Sequence, residues 1–316
     1  MSPPFSFTGG LMVMGKPAAM VESFAVGYGP NCCASDGAGH IAVANFSDNS
    51  ISVLNASTGA VISTLTTATS AWLAYMSEPG FCKFDGSGKL WISNFGNSFV
   101  EVTSLDGTTS GTEIGQGNTE NCYGLELDAG TGTAWIVLND VNEVQKINSS
   151  TYAIVTHYAT GNGPVGVRSD GTNIWVTNFT DGTITIRTLS SGTALGTSPF
   201  NCGTGSQPTR IDYDGTYMYV ACAGTGKVLQ ILASTQTLVA SYTTGTPLVS
   251  VACDASGNVW ANDNATHVYK ITTATMTKVG PTITVGQQSS VACYDSAHGG
   301  IWVPDELNEL VYRVLQ

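Results

Sequence analysis

The chain has 316 residues, 42% of them apolar, and carries 11 basic against 23 acidic side chains for a net charge of −12. It is long enough to bury a substantial core, and no apolar run is long enough to cross a bilayer as a helix. The acidic balance and the lack of any basic stripe exclude nucleic acid as a partner, because a polyanion would be repelled rather than steered.

Residues 1–19, rich in Pro and Gly, lack a basic stretch ahead of their short apolar part. They read as an arm that packs on the rest of the chain or on a neighbouring subunit, not as a secretion signal. Residues 20–26 then read as a single strand. From there to the C-terminus one unit repeats. It is clearest over residues 164–193: an apolar run, the turn Asp170-Gly171, the run Ile174-Trp175-Val176-Thr177-Asn178, the turn Thr180-Asp181-Gly182, and an alternating third run. Strand, turn, strand, turn, strand is an antiparallel meander.

The acidic residue of the first turn recurs at Asp36, Asp85, Asp128, Asp170, Asp214, Asp254 and Asp295, in steps of 49, 43, 42, 44, 40 and 41 residues. That is the period of a four-stranded propeller blade. Fourth strands are expected over 60–65, 153–158, 238–242 and 278–285. After the last third strand the sequence stops, so the seventh blade lacks an outer strand. Residues 20–26 are expected to supply it and close the ring, which removes an exposed sheet edge. The fold expected is therefore all-β: a seven-bladed β-propeller over residues 20–316, preceded by the arm 1–19.

None of the eight cysteines makes a CxxC or a Cys/His zinc spacing. Cys33, Cys82, Cys122, Cys253 and Cys293 fall in first strands and read as small packing residues. Cys202 and Cys222 are the best disulfide pair, since both lie at one end of blade five.

In a propeller the loops entering first strands share a rim with those between second and third strands. Phe46, Asp48, Phe95, Asp140, Phe179, Asp181, Asp263 and Asp305 lie in the second set; Trp72 and Tyr75, with Tyr28, Glu78, Asn118, Glu120 and Asn162, lie in the first. Aromatic faces beside amides and carboxylates suit a sugar or peptide ligand, and the same oxygens are of the kind that hold Ca²⁺ or Mg²⁺. Against this, Asn and Asp after a strand are ordinary turn formers. Catalytic candidates are scarce. His40 and His298 belong to the opposite rim, His157 to an outer strand, and only His267, beside Asp263, lies near the rim. No HExxH, GxSxG or phosphate-binding glycine loop occurs.

Units such as SDGTNIWVTNFTDGTITI and FDGSGKLWISNFGNSFVEV resemble the YVTN/NHL-type seven-bladed propellers, a superfamily that includes virginiamycin B lyase-like proteins. The resemblance spans nearly the whole chain and implies the propeller fold. It implies lyase chemistry only where a His/Glu pair surrounds Mg²⁺ in the central funnel. The lyases favour Trp-Phe-Thr-Glu in the second strand; here Trp175-Val176-Thr177-Asn178 and Trp91-Ile92-Ser93-Asn94 place Asn where Glu would be, and His267 is the one histidine near the rim. The expectation is accordingly a non-enzymatic binding or assembly propeller, without a required cofactor, extracellular or on a virion surface. Its rim would recognise a glycan, a peptide or a neighbouring subunit. The alternative is a metal-assisted lyase or hydrolase using His267 and Asp263.

Overall fold

The computed structural model describes residues 19–67, 76–106, 112–115 and 121–315. Among them are 29 strands. The N-terminal strand is β1 (Met20–Ala25). Blade 1 follows as β2 (Pro30–Ser35), β3 (His40–Asn45), β4 (Ser50–Asn55) and β5 (Val61–Thr66); blade 2 as β6 (Pro79–Phe84), β7 (Leu90–Asn94), β8 (Phe99–Thr103) and β9 (Thr112–Gly115). Blade 3 is β10 (Cys122–Asp128), β11 (Thr133–Leu138), β12 (Glu143–Asn148) and β13 (Ile154–Ala159). Blade 4 is β14 (Pro164–Ser169), β15 (Asn173–Asn178), β16 (Thr183–Thr188) and β17 (Phe200–Asn201). Blade 5 is β18 (Pro208–Tyr213), β19 (Tyr217–Cys222), β20 (Lys227–Leu232) and β21 (Thr237–Thr243). Blade 6 is β22 (Leu248–Cys253), β23 (Asn258–Asp263), β24 (His267–Thr272), β25 (Thr277–Lys278) and β26 (Ile283–Thr284). Blade 7 is β27 (Cys293–Asp295), β28 (Gly300–Asp305) and β29 (Leu310–Leu315), completed by β1. All pairings within blades are antiparallel, so the seven-bladed reading holds.

One outer strand differs from expectation, and another is short. The segment expected over 278–285 is broken into β25 and β26, because Gly280 turns with φ 73° and Pro281 has no N–H to donate. In blade 4 the outer strand shrinks to Phe200 and Asn201.

Burial explains why the second strands read as unbroken apolar runs. Every residue of β11, β15, β23 and β28 is buried, because each is covered on both faces by neighbouring blades. The outer β13 instead alternates exposed and half-buried residues. The core is accordingly divided into seven clusters, one between each pair of adjacent blades. The repeated first-turn aspartate has a structural task. Asp85 accepts the N–H groups of Ser87 and Lys89 through Oδ1 and the Trp91 indole N–H through Oδ2; Asp170 and Asp254 treat Trp175 and Trp260 the same way. On the far side, Lys270 and Arg313 lie 4.8 and 5.5 Å over the Trp260 and Trp302 rings.

The ring closes as expected: β1 pairs with β29 from Met20↔Leu315 to Ala25↔Leu310. Arg313 staples the seam. Its Nε and Nη2 donate to Glu22 Oε2 at 2.8 and 2.5 Å, and its Nη1 to the carbonyls of Ala56 and Ser57 in blade 1. Phe24 packs 5.5 Å from Trp302 and fills the space over Gly59, where a Cβ would sit 1.9 Å from the Phe24 ring.

The eight cysteines are free thiols, so the expected Cys202–Cys222 disulfide is not formed. Both thiols pack in the core cluster between blades 4 and 5. Burial pushes both up, Cys222 to about 12, which keeps them protonated and unreactive near neutrality.

Two outcomes follow. Glu22→Ala leaves the buried Arg313 without its carboxylate and should destabilise the protein by about 1–3 kcal/mol, measured by urea unfolding. Burial works against the charge of Asp36, Asp85 and Asp128, but hydrogen bonds from their turns outweigh it and hold all three below the ordinary 3.8. Their contribution is therefore present above about pH 4 and lost as pH falls through the lowered folded values. Stability of the wild type should drop as pH falls below about 4, with a shallower drop in Asp85→Asn.

Candidate functional site

The first strands line the propeller axis, and equivalent residues form rings at successive depths. The residue that follows each second strand sets the rim. It is Phe46, Phe95 and Phe179 on blades 1, 2 and 4, but Ala223, Asn264 and Glu306 on blades 5, 6 and 7. These six residues, with Tyr123 of blade 3, line a funnel of about 450 Å³ that opens on the rim. Its aromatic wall is continuous across blades: Phe46 and Phe95 lie 5.9 Å apart, and Phe95 meets Tyr123 edge-on at 5.2 Å. The opposite wall is small and polar. Glu306 sits there, its carboxyl raised by burial although Gln288 Nε2 donates to it.

The floor of the funnel is Arg210. It also lines the second axial chamber, about 320 Å³, so it marks the constriction between the two. The inner strands approach closely here because Gly124 and Gly166 lack side chains; a Cβ on them would lie 2.6 Å from Val165 O and 2.5 Å from Thr209 O. Arg210 Nη1 donates to Val165 O at 2.6 Å, and its guanidinium reaches across the axis to lie 5.0 Å over the Phe81 ring of blade 2. Burial pulls its pKa below the ordinary arginine value.

Below it, four charges run round the second chamber. Lys83 is paired with Glu126, Arg168 Nη1 donates to Glu126 Oε1 at 3.1 Å, and Arg168 Nε lies 3.0 Å from Asp212 Oδ1. Asp212 Oδ2 accepts the Cys253 N–H. Neighbouring Glu126 holds the Arg168 guanidinium above its ordinary value, whereas burial pulls Lys83 down despite the same carboxylate. The chain of charges was not expected from the sequence. Lys83, Glu126, Arg168 and Asp212 all stand two residues before the repeated aspartate, so aligning the repeats by that residue would have exposed them.

The expected rim residues separate into groups. Phe46, Phe95 and Phe179 converge on the funnel. Asp48 and Asp181 instead brace the loops: each accepts a backbone N–H, from Tyr28 at 2.6 Å and Asn162 at 2.8 Å. Asp263 and Asp305 are buried and engaged by local N–H groups: Asp263 bonds Ala265 and His267 of its own turn, and Asp305 bonds Leu307 and Asn308 of its own turn and Gln287 and Gln288 of the loop entering blade 7. Asp140 is exposed outside the funnel. Trp72, Tyr75, Asn118 and Glu120 lie outside the described residues, as does the arm up to residue 18.

The residues implied for a Mg²⁺-dependent lyase do not fit that ion. His267 Nδ1 is engaged 2.8 Å from Asp263 Oδ2, the pair lies off the funnel wall, and Asn94 and Asn178 are buried with their amides directed at neighbouring strands. Among the described residues no group of three or more His, Cys, Asp or Glu is placed to hold a metal. The charged chain yields a test of the axis itself. Glu126→Ala strands Lys83 and leaves Arg168 with Asp212 alone, and should cost about 3 kcal/mol in urea unfolding.

No family profile and no curated protein matches the sequence. Solved structures do match in fold. A streptogramin B lyase superposes with a TM-score of 0.78 at 17% identity, covering 94% of this chain and 98% of its own. Virginiamycin B lyase from Staphylococcus aureus superposes with a TM-score of 0.79 at 16% identity, covering 95% of this chain and 100% of its own. A catalytically inactive form of that enzyme, solved with quinupristin, gives 0.78 at 16% with the same coverage. At such identities the likeness shows the fold alone. It nonetheless corrects the expectation of a non-enzyme: structures with this architecture include lyases, so the fold offers no ground for setting catalysis aside. The chain is a seven-bladed β-propeller with the fold of virginiamycin B lyase.

Proposed function

We propose that the protein holds a ligand in the axial funnel, with the ring of the ligand against the phenylalanine wall and its polar groups toward Asn264 and Glu306. The observation that carries this reading is the convergence of Phe46, Phe95, Phe179 and Tyr123 on one chamber of about 450 Å³. That volume suits a small molecule, or the end of a peptide or glycan chain, and concave sites lined by aromatic side chains with a few polar groups are what such ligands select. The fold neighbour solved with quinupristin supports a ligand-binding role for a propeller of this shape. An extracellular or virion-surface setting, with a partner subunit on the rim, belongs to the same proposal and rests on the sparse charge of the surface.

Ligand-observed NMR against a panel of neutral aromatic amides, short peptides and oligosaccharides tests the reading. Hits should compete for one site, and Phe95→Ala and Phe179→Ala should each weaken them by about fivefold or more. Each hit is then followed by mass spectrometry for turnover. Hits that bind both variants as tightly as the wild type would move the site off the funnel.

A further inference from the structure

Arg210 is the axial cation without an ion-pair partner among the described residues. The two chambers are lined by three cations, Lys83, Arg168 and Arg210, and three acids; Glu126 and Asp212 pair with the first two cations, while Glu306 on the funnel wall bonds Gln288 and forms no ion pair with Arg210. The four-membered chain below the constriction neutralises itself. Arg210 pairs with no carboxylate among the described residues, and its one hydrogen bond goes to a neutral carbonyl, Val165 O. Its equivalents on the other blades are Cys32, Phe81, Gly124, Gly166, Ser250 and Val291, none of them charged. A half-buried guanidinium without a counter-charge has lost part of its hydration, and an anion supplied from outside offsets that loss.

The geometry points to a carboxylate subsite: the funnel takes a small organic monoanion whose carboxylate sits on the Arg210 guanidinium and whose planar apolar body lies along Phe46, Phe95 and Phe179. This rests on the funnel being the ligand site. The Phe81 ring lies against the guanidinium on one side, and Val165 O occupies Nη1, which leaves Nε and Nη2 as a fork of the kind that binds a carboxylate through two oxygens. One positive charge calls for one negative charge. Glu306 on the same chamber wall disfavours a dianion such as a phosphate monoester.

The experiment is calorimetric titration of the full chain with 1-naphthoate, its neutral isostere 1-naphthamide, and 1-naphthyl phosphate. The wild type should bind 1-naphthoate at least about tenfold more tightly than the amide, the size of a charge-assisted pair in a partly buried site. Arg210→Gln should erase that difference, and Arg210→Lys, which keeps the charge but loses the fork, should restore part of it. Equal affinity for acid and amide in the wild type overturns the subsite whether or not the variants fold, and leaves the funnel reading standing if the amide binds. Tighter binding of the phosphate ester overturns the monocarboxylate assignment. If none of the three binds while neutral hits from the panel do, the inference fails and the funnel reading survives. Failure of both sets of ligands removes the two together.

Discussion

Everything in this molecule depends on the seam between blade 7 and blade 1. Each blade is a small twisted sheet that buries its faces only against its neighbours, so seven blades need seven interfaces, and the seventh exists only when the ring shuts. The closing strand β1 supplies the hydrogen bonds that the edge of β29 would otherwise leave open. Arg313 then ties three separate pieces of chain together, binding Glu22 of the closing strand and two carbonyls of blade 1 while lying over both the Phe24 and the Trp302 rings. A cation so deeply placed contributes only while all its partners stay in position, which makes closure cooperative.

Closure also creates the axis. Seven first strands packed round a line put their side chains into shared rings, and the chemistry of each ring depends on residues far apart in the chain. The rim ring is split into an aromatic and a polar half. The constriction carries a single guanidinium. The lower chamber carries a balanced chain of ion pairs. Burying Glu126 and half-burying Asp212 beside Lys83 and Arg168 is tolerable because each acid meets a cation; the half-buried Arg210 meets no acid among the described residues. On the proposed reading, stability and recognition sit on adjacent floors of one channel, and the ion pairs that hold the lower floor leave the upper cation for a ligand.

The sequence was informative where local physics decides and misleading where it does not. The repeated aspartate announced the blades because a turn needs an acceptor for its own N–H groups, and the same carboxylate also holds a tryptophan indole in the next strand. The rim carboxylates read as ligand groups from the sequence; in the structure Asp263 satisfies N–H groups of its own turn, and Asp305 those of its own turn and of the loop entering blade 7. Phe46, Phe95 and Phe179 were legible as a set because they share one place in the repeat. Arg210 was not, since a lone arginine in an inner strand has no signal until its equivalents are known to be neutral.

What the sequence determined by itself is the architecture: period, strand order, and the need for an N-terminal strand to complete the last blade. These follow from turn chemistry and from alternation along the chain, which are local. Only the tertiary structure decided which side chains meet. Arg210 stacks on Phe81 from 129 positions away in the chain, and Arg313 pairs with Glu22 across 291. Such encounters depend on ring closure and on the close approach that Gly124 and Gly166 allow, and no local pattern encodes them.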